Sequence, residues 1–376
     1  MNRSEEVQFK LTRVRGMMHD AGIAAALLKT QANFAWLTAG GLNSVGVATE
    51  MGVTSILVTP DRHYLIANAT EASRTMQEEG LADLGFELLS FDWFENRELE
   101  LAREAAGADA STSPAAAIGC DFPIAAPGFI DISSTIASLR RELTPPEIER
   151  YTLLGARTSA AIDKVAASAR PGDSEAEIVG RLLAELWKHR IDATGYIAAT
   201  DDRIELYRHA IPTMNRIEKR FLLSVNARHH GLIVSATRMV HFGTPSPALV
   251  TRYRDNLRIE AAMIAATRVG RTLSDIFAEA VKLYEELGYA DEWRRLHIGG
   301  STGYAARETK ATPSTRESVH THQAFCWNPT LTGTKAEDTF AVLPEGPRMI
   351  TGPATFPSVE LEAGGICLAL PDMLVV

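Results

Sequence analysis

Ser224-Val-Asn226-Ala227-Arg-His-His-Gly231-Leu-Ile-Val-Ser235-Ala-Thr237-Arg238 is the stretch on which the reading of this chain turns. Apolar runs on either side of Gly231 predict a β-hairpin, with His229 and His230 at a solvent-facing tip. Apart from its arginines and histidines, its polar positions are three hydroxyls and one amide, with no carboxylate. Four more blocks belong with it: His209-Ala-Ile-Pro212-Thr213-Met-Asn215-Arg216, Gly299-Gly300-Ser301-Thr302-Gly303-Tyr304-Ala-Ala-Arg307-Glu308, Phe325-Cys-Trp-Asn328-Pro329 and Gly333-Thr-Lys-Ala-Glu337-Asp338-Thr339.

In this order the five blocks resemble the creatinase, aminopeptidase P and methionine aminopeptidase superfamily, whose fold is called the pita bread. His209 to Arg216 is similar to the family's His-x-x-Pro-Thr-x-x-Arg segment, and Ser224 to Arg238 to its Asp-x-Gly-Ala-x-x-x-Gly-Tyr-x-x-Asp-x-Thr-Arg hairpin. The resemblance puts Ser224 and Ser235 where the family has metal-binding aspartates, and Gly300 and Asn328 where it has a histidine and a glutamate. Arg307 stands at a second family histidine, and only Glu337 keeps its ligand identity. Two-metal hydrolysis needs carboxylates and imidazoles to offset the cations and acidify a bound water. Serine hydroxyls and one amide oxygen are poor substitutes for hard cations. The expectation is a degenerate member with no metal and no cofactor.

Creatinase, by resemblance, implies metal-free catalysis by the histidine matched at His209, since an imidazole both accepts and donates a proton near neutral pH. Glu337 is then the second catalytic candidate, holding a cationic group or orienting water. Ser224, Ser235, Arg238, Tyr304, Arg307 and Asn328 are substrate-binding candidates. Arg238 is either a carboxylate clamp or half of an internal salt bridge; Arg307 suits an anionic substrate; Tyr304 and Trp327 either wall the site or belong to the core. Strand alternation puts Asp338 on the face opposite Glu337. The leading functional expectation is a creatinase-like hydrolase of a C–N bond in a small guanidino, amidino or cyclic amidine substrate. The alternatives are a metal-dependent Xaa-Pro aminopeptidase or dipeptidase and a non-catalytic small-molecule-binding relative.

A length of 376 residues exceeds what one core usually serves. Helical and β-like patterns alternate from the N-terminus, predicting an α/β domain over 1–143, with Phe34 to Ala39 among its β-runs and a solvated spacer at Ala105 to Ala117. Thr144-Pro145-Pro146-Glu147 reads as a helix start. It opens the second domain, 144–376, which the resemblance makes the pita-bread domain; the fold class is α/β (α+β). Pro171-Gly172-Asp-Ser174-Glu-Ala-Glu177 repeats the capping device, and helices follow at about 248–267 and 274–287. A net charge of −9 argues against a nucleic-acid partner. Three scattered cysteines and no long apolar run suggest a reduced cytoplasmic protein with no membrane partner. The resemblance also implies a homodimer, with the Gly40 to Ser44 loop nominated to reach the neighbour's site.

Overall fold

The computed structural model describes residues 1–107 and 117–376. It divides into two compact units, Met1–Pro146 with His230–Leu232, and Glu147–His229 with Ile233–Val376. No helix among the described residues is long and apolar enough to cross a membrane.

In the first unit α1 (Arg3–Ala21) starts at a capping box, Asn2 and Glu5 each bonding the other's backbone, and stops at Gly22 in the left-handed conformation. A six-stranded mixed sheet follows, built from β1 (Ala25–Thr30), β2 (Met51–Val58), β3 (His63–Asn68), β4 (Glu87–Phe91), β5 (Ile118–Cys120) and β6 (Phe129–Asp131). Its order is β4-β3-β2-β1-β5-β6. The helices of this unit are α2 (Gln31–Leu37), α3 (Ala69–Glu78), α4 (Glu98–Ala106) and α5 (Ser133–Leu139).

Helix α2 corrects the expected β-run at Phe34 to Ala39. Gln-Ala-Asn-Phe-Ala-Trp-Leu contains no β-branched residue, and the Thr30 hydroxyl caps its first turn. A helix buried almost all round shows no polar face to betray its period. In the Gly40 to Ser44 loop the buried Asn43 amide donates to the carbonyls of Lys29 and Thr54. His230 is exposed at the hairpin tip, as expected, and its Nδ1 lies 2.8 Å from the Gly40 carbonyl oxygen. The proposed spacer Ala105 to Ala117 lies mostly outside the described residues.

In the second unit α6 (Pro145–Ser168) and α7 (Glu175–Trp187) come first, α7 opened by a capping box of Ser174 and Glu177. The antiparallel strands β7 (Asp192–Thr200), β8 (Arg220–His229) and β9 (Leu232–His241) follow, with the short helix α8 (Arg203–Leu206) between β7 and β8. Helices α9 (Pro247–Ala266) and α10 (Leu273–Glu286) then lead to a second sheet. Its strands are β10 (Gly299–Thr302), β11 (Thr309–Lys310) and β12 (Gln323–Trp327), then, beyond the small hairpin β13 (Thr330–Leu331) and β14 (Thr334–Lys335), β15 (Asp338–Leu343) and β16 (Gly346–Met349). The order is β11-β10-β12-β15-β16, antiparallel throughout.

Phe325, Trp327 and Phe340 stack in the core beside α9 and α10, with ring centroids about 6 Å apart. Burying each such ring stabilises the unit by about 1.5–3 kcal/mol. Trp327 is wholly buried and its indole N–H donates to Thr267 Oγ1 at 2.9 Å, so it is core and not a wall of the site. What positions the site is the junction of the two sheets. The Thr237 amide donates to the Glu337 carbonyl at 2.9 Å, and the Ser235 amide to Thr339 Oγ1 at 2.8 Å. These bonds lay β9 against Glu337, between β14 and β15, and against the start of β15.

Candidate active site

Beside that junction is a cavity of about 530 Å3, lined by His209, Ser224, Asn226, His297, Arg307, Lys310, Asn328, Lys335 and Glu337, with Tyr196, Ile197 and Ile211 as its larger apolar members. His209, Ser224, Arg307, Asn328 and Glu337 are thus brought together from five separate sequence blocks. Ser235 stands just behind: its hydroxyl donates to Asn226 Oδ1 at 2.7 Å and is approached by Arg307 Nη1 at 3.5 Å.

Glu337 is the centre of the arrangement. Its Oε2 accepts from Ser224 Oγ at 2.9 Å and Thr237 Oγ1 at 2.8 Å, and is paired with the Lys335 ammonium. Its Oε1 takes Arg307 Nη2 at 3.2 Å. Lys335 completes its contacts on Ser224 Oγ at 2.7 Å and Thr237 Oγ1 at 3.2 Å, while Arg307 Nη2 also reaches Asn328 Oδ1 at 2.8 Å. Burial alone would raise the Glu337 carboxyl, but the charges of Lys335 and Arg307 and the bonds from Lys335 and Thr237 hold it down to about 2. It is an ionised carboxylate with both oxygens engaged by cations of its own chain.

Lys335 was missed by sequence reasoning, although a signal existed. It stands two residues before Glu337, and the same alternation that sends Asp338 to the other face puts Lys335 on Glu337's side. His297 was also missed, because no motif contains it. Its ring lies 6.3 Å, centroid to centroid, from that of His209. Burial, followed by the charges of Arg307 and Lys310, pushes His297 down to about 4. His209 is lowered too, by burial first and then by Lys335. Both imidazoles are therefore predominantly neutral near pH 7.

Two candidates leave the site. Arg238 is wholly buried, with Nε on Asp163 at 2.7 Å, Nη1 on Asp338 at 3.3 Å and Nη2 donating to the Thr351 carbonyl at 3.0 Å. Every arm of the guanidinium is used inside the protein, so it is a strut and not a substrate clamp. Tyr304 is buried as well, its hydroxyl bonded to Glu147 at 2.6 Å. Its neighbour Glu308 accepts the amides of Tyr304 and Ala305 and so shapes the loop between β10 and β11.

Helices packed over sheets around a polar cleft at the junction of two sheets define a pita-bread hydrolase scaffold. The model of metallopeptidase family M24 matches residues 149–348, and the chain belongs to that family, a family of hydrolases. It is 23% identical over 237 residues to an uncharacterized peptidase of Staphylococcus epidermidis, the match covering 59% of this chain and 66% of the relative. It is 25% identical over 240 residues to the Xaa-Pro dipeptidase of Lactobacillus helveticus, covering 59% and 62%. These matches span just under two thirds of the relatives' length. The Xaa-Pro dipeptidase from Bacillus anthracis has the same fold, with a TM-score of 0.77 over 98% of this chain and 100% of that one at 19% identity.

These relatives overturn the expected creatinase-like action on a guanidino, amidino or cyclic amidine substrate, because those with a named activity are Xaa-Pro peptidases. They agree better with the Xaa-Pro peptidase alternative. The geometry gives a physical reason of its own: Glu337, the carboxylate that was to hold a cationic substrate, is already bonded to Lys335 and Arg307.

A metallopeptidase family implies divalent cations, and the residues here do not fit them. No group of three or more His, Cys, Asp or Glu side chains among the described residues is arranged to hold a metal ion. At the position of the family histidine, a Cβ on Gly300 would lie 1.9 Å from the Thr309 carbonyl oxygen, so the backbone of β11 fills the space a side chain would need. Where carboxylates and imidazoles would surround two cations, an ammonium and a guanidinium flank one carboxylate.

Proposed function

We propose that this chain acts on the amide bond of a short, Xaa-Pro-like substrate in the Ser224–Glu337 cavity, with the charges of Lys335 and Arg307 in place of divalent metal. The observation that supports this most is the engagement of both Glu337 oxygens by those two cations. Fixed positive charge in a partly buried pocket stabilises the negative charge that grows on a carbonyl oxygen under attack, without reorganising water at the moment of reaction. His209, kept neutral by burial and by Lys335, supplies a base for the attacking water. Water adds to the carbonyl carbon, His209 takes its proton, the C–N bond breaks, and the proton passes to the leaving nitrogen.

The test is release of amino acid from a panel of Xaa-Pro peptides and their N-acylated forms, followed by mass spectrometry on chelator-treated protein. Turnover should persist without metal, and His209→Gln should lower it by about 100- to 10,000-fold with folding intact. Cleavage that appears only with added manganese, cobalt or zinc, or a panel left wholly uncut, would defeat the reading.

A further inference from the structure

The cavity carries an excess of positive charge for which the family resemblance gives no reason. Three cationic side chains line it, Arg307, Lys310 and Lys335, against the single carboxylate of Glu337. Lys335 and Arg307 share that carboxylate. The exposed Lys310 ammonium has no ion-pair partner among the described residues, and the buried Arg307 Nε has no hydrogen-bond acceptor. The two histidines do not redress the balance, since they contribute no negative charge in either state. An amine nitrogen entering as an ammonium would need negative charge to offset it, which neutral imidazole nitrogens do not supply. Asn328 Oδ1 is taken by Arg307 and Asn226 Oδ1 by Ser235, and no second carboxylate lines the wall.

Resting on the amide reading above, we propose that the ligand is an N-acylated amino acid or N-blocked peptide, carrying a free carboxylate and no free ammonium. A zwitterionic dipeptide would place its ammonium in the field of Lys335, Arg307 and Lys310 with no second carboxylate to offset it, whereas an acyl group enters without charge. The ligand's carboxylate meets the unpaired Lys310 at the wall of the cavity. Exclusion of the ammonium is selection by repulsion, as effective for specificity as an added attraction.

Titration calorimetry on chelator-treated protein with Ala-Pro, N-acetyl-Ala-Pro and N-acetyl-Ala-Pro amide separates the contributions. N-acetyl-Ala-Pro should bind at least about tenfold more tightly than either of the other two, a difference of about 1.4 kcal/mol. Lys310→Glu, at an exposed position, should erase the advantage of the free carboxylate over the amide while circular dichroism stays unchanged. Equal or tighter binding of Ala-Pro would overturn the proposal and leave the amide reading standing. Binding of none of the three would overturn both.

Discussion

Glu337 is a carboxylate that the fold could not keep buried alone. Moving an ion out of water costs several kcal/mol, and the cost is met here by two cations and two hydroxyl donors. Removing one cation should therefore be worse than never having had the pair. Lys335→Met leaves the carboxylate with Arg307 alone and strips Ser224 and Thr237 of the ammonium they accept from. We expect a loss of about 3–5 kcal/mol in urea unfolding. Combining Glu337→Gln with Lys335→Met should cost less than the sum of the two single losses, because the Lys335–Glu337 contact can be lost only once, while Arg307 is left without its carboxylate in either variant that lacks Glu337. Additive losses in the two single variants would show that the pair is not coupled in the way the geometry requires. The same logic explains why Arg238 could not be assigned from sequence: an arginine in a conserved-looking motif position serves a substrate or a strut equally well, and only its contacts with Asp163, Asp338 and Thr351 distinguish the two.

At the scale of elements, β10 decides what the site can become. Gly300 pairs with Lys310 of β11 and with Cys326 of β12, squeezed between two strands with no room for Cβ. Gly300→His, the change that would restore the side chain found in the family motif, should lower the melting temperature sharply or abolish soluble expression, and should confer no stoichiometric zinc or manganese by elemental analysis. A well-folded, metal-loaded variant would mean that β11 moves aside easily, and the account of this strand pair would fail. Much of this level was legible in the sequence. The Ser174–Glu177 capping box and the hairpin around Gly231 carry local chemical signals, and both elements are present. Helix α2 was not legible because burial erased its amphipathic period. The cavity's chemistry was legible only in part: the motif blocks carried His209, Glu337 and Arg307 into one place, but Lys335 and His297 act through strand alternation and tertiary approach, which spacing within a motif does not record.

For the whole molecule, acid stability should be a contest between groups of opposite sign. His297 falls from its ordinary 6.5 to about 4, and His209 and the first unit's His63 are lowered by burial as well. A depressed folded-state pKa means that the unfolded chain binds more protons, so the stability from neutral histidine is full above about 6.5 and is lost as pH falls toward 4. Glu337, lowered from 4.5 to about 2, loses its contribution in the next window down. Glu260 runs the other way. It is wholly buried, accepts the Asp338 amide at 2.9 Å, and is raised well above 4.5 by burial and by the Asp338 charge. Its contribution is full below 4.5 and is lost as pH rises through the elevated folded value. Because these slopes overlap, the wild-type curve alone is not diagnostic and the differences between variants are. Thermal unfolding from pH 3 to 8 should show His297→Asn losing part of the wild-type decline between 6.5 and 4, while Glu260→Gln should gain on wild type as pH rises above 4.5. Parallel curves for wild type and His297→Asn across the upper window would mean that this imidazole is not held neutral in the fold.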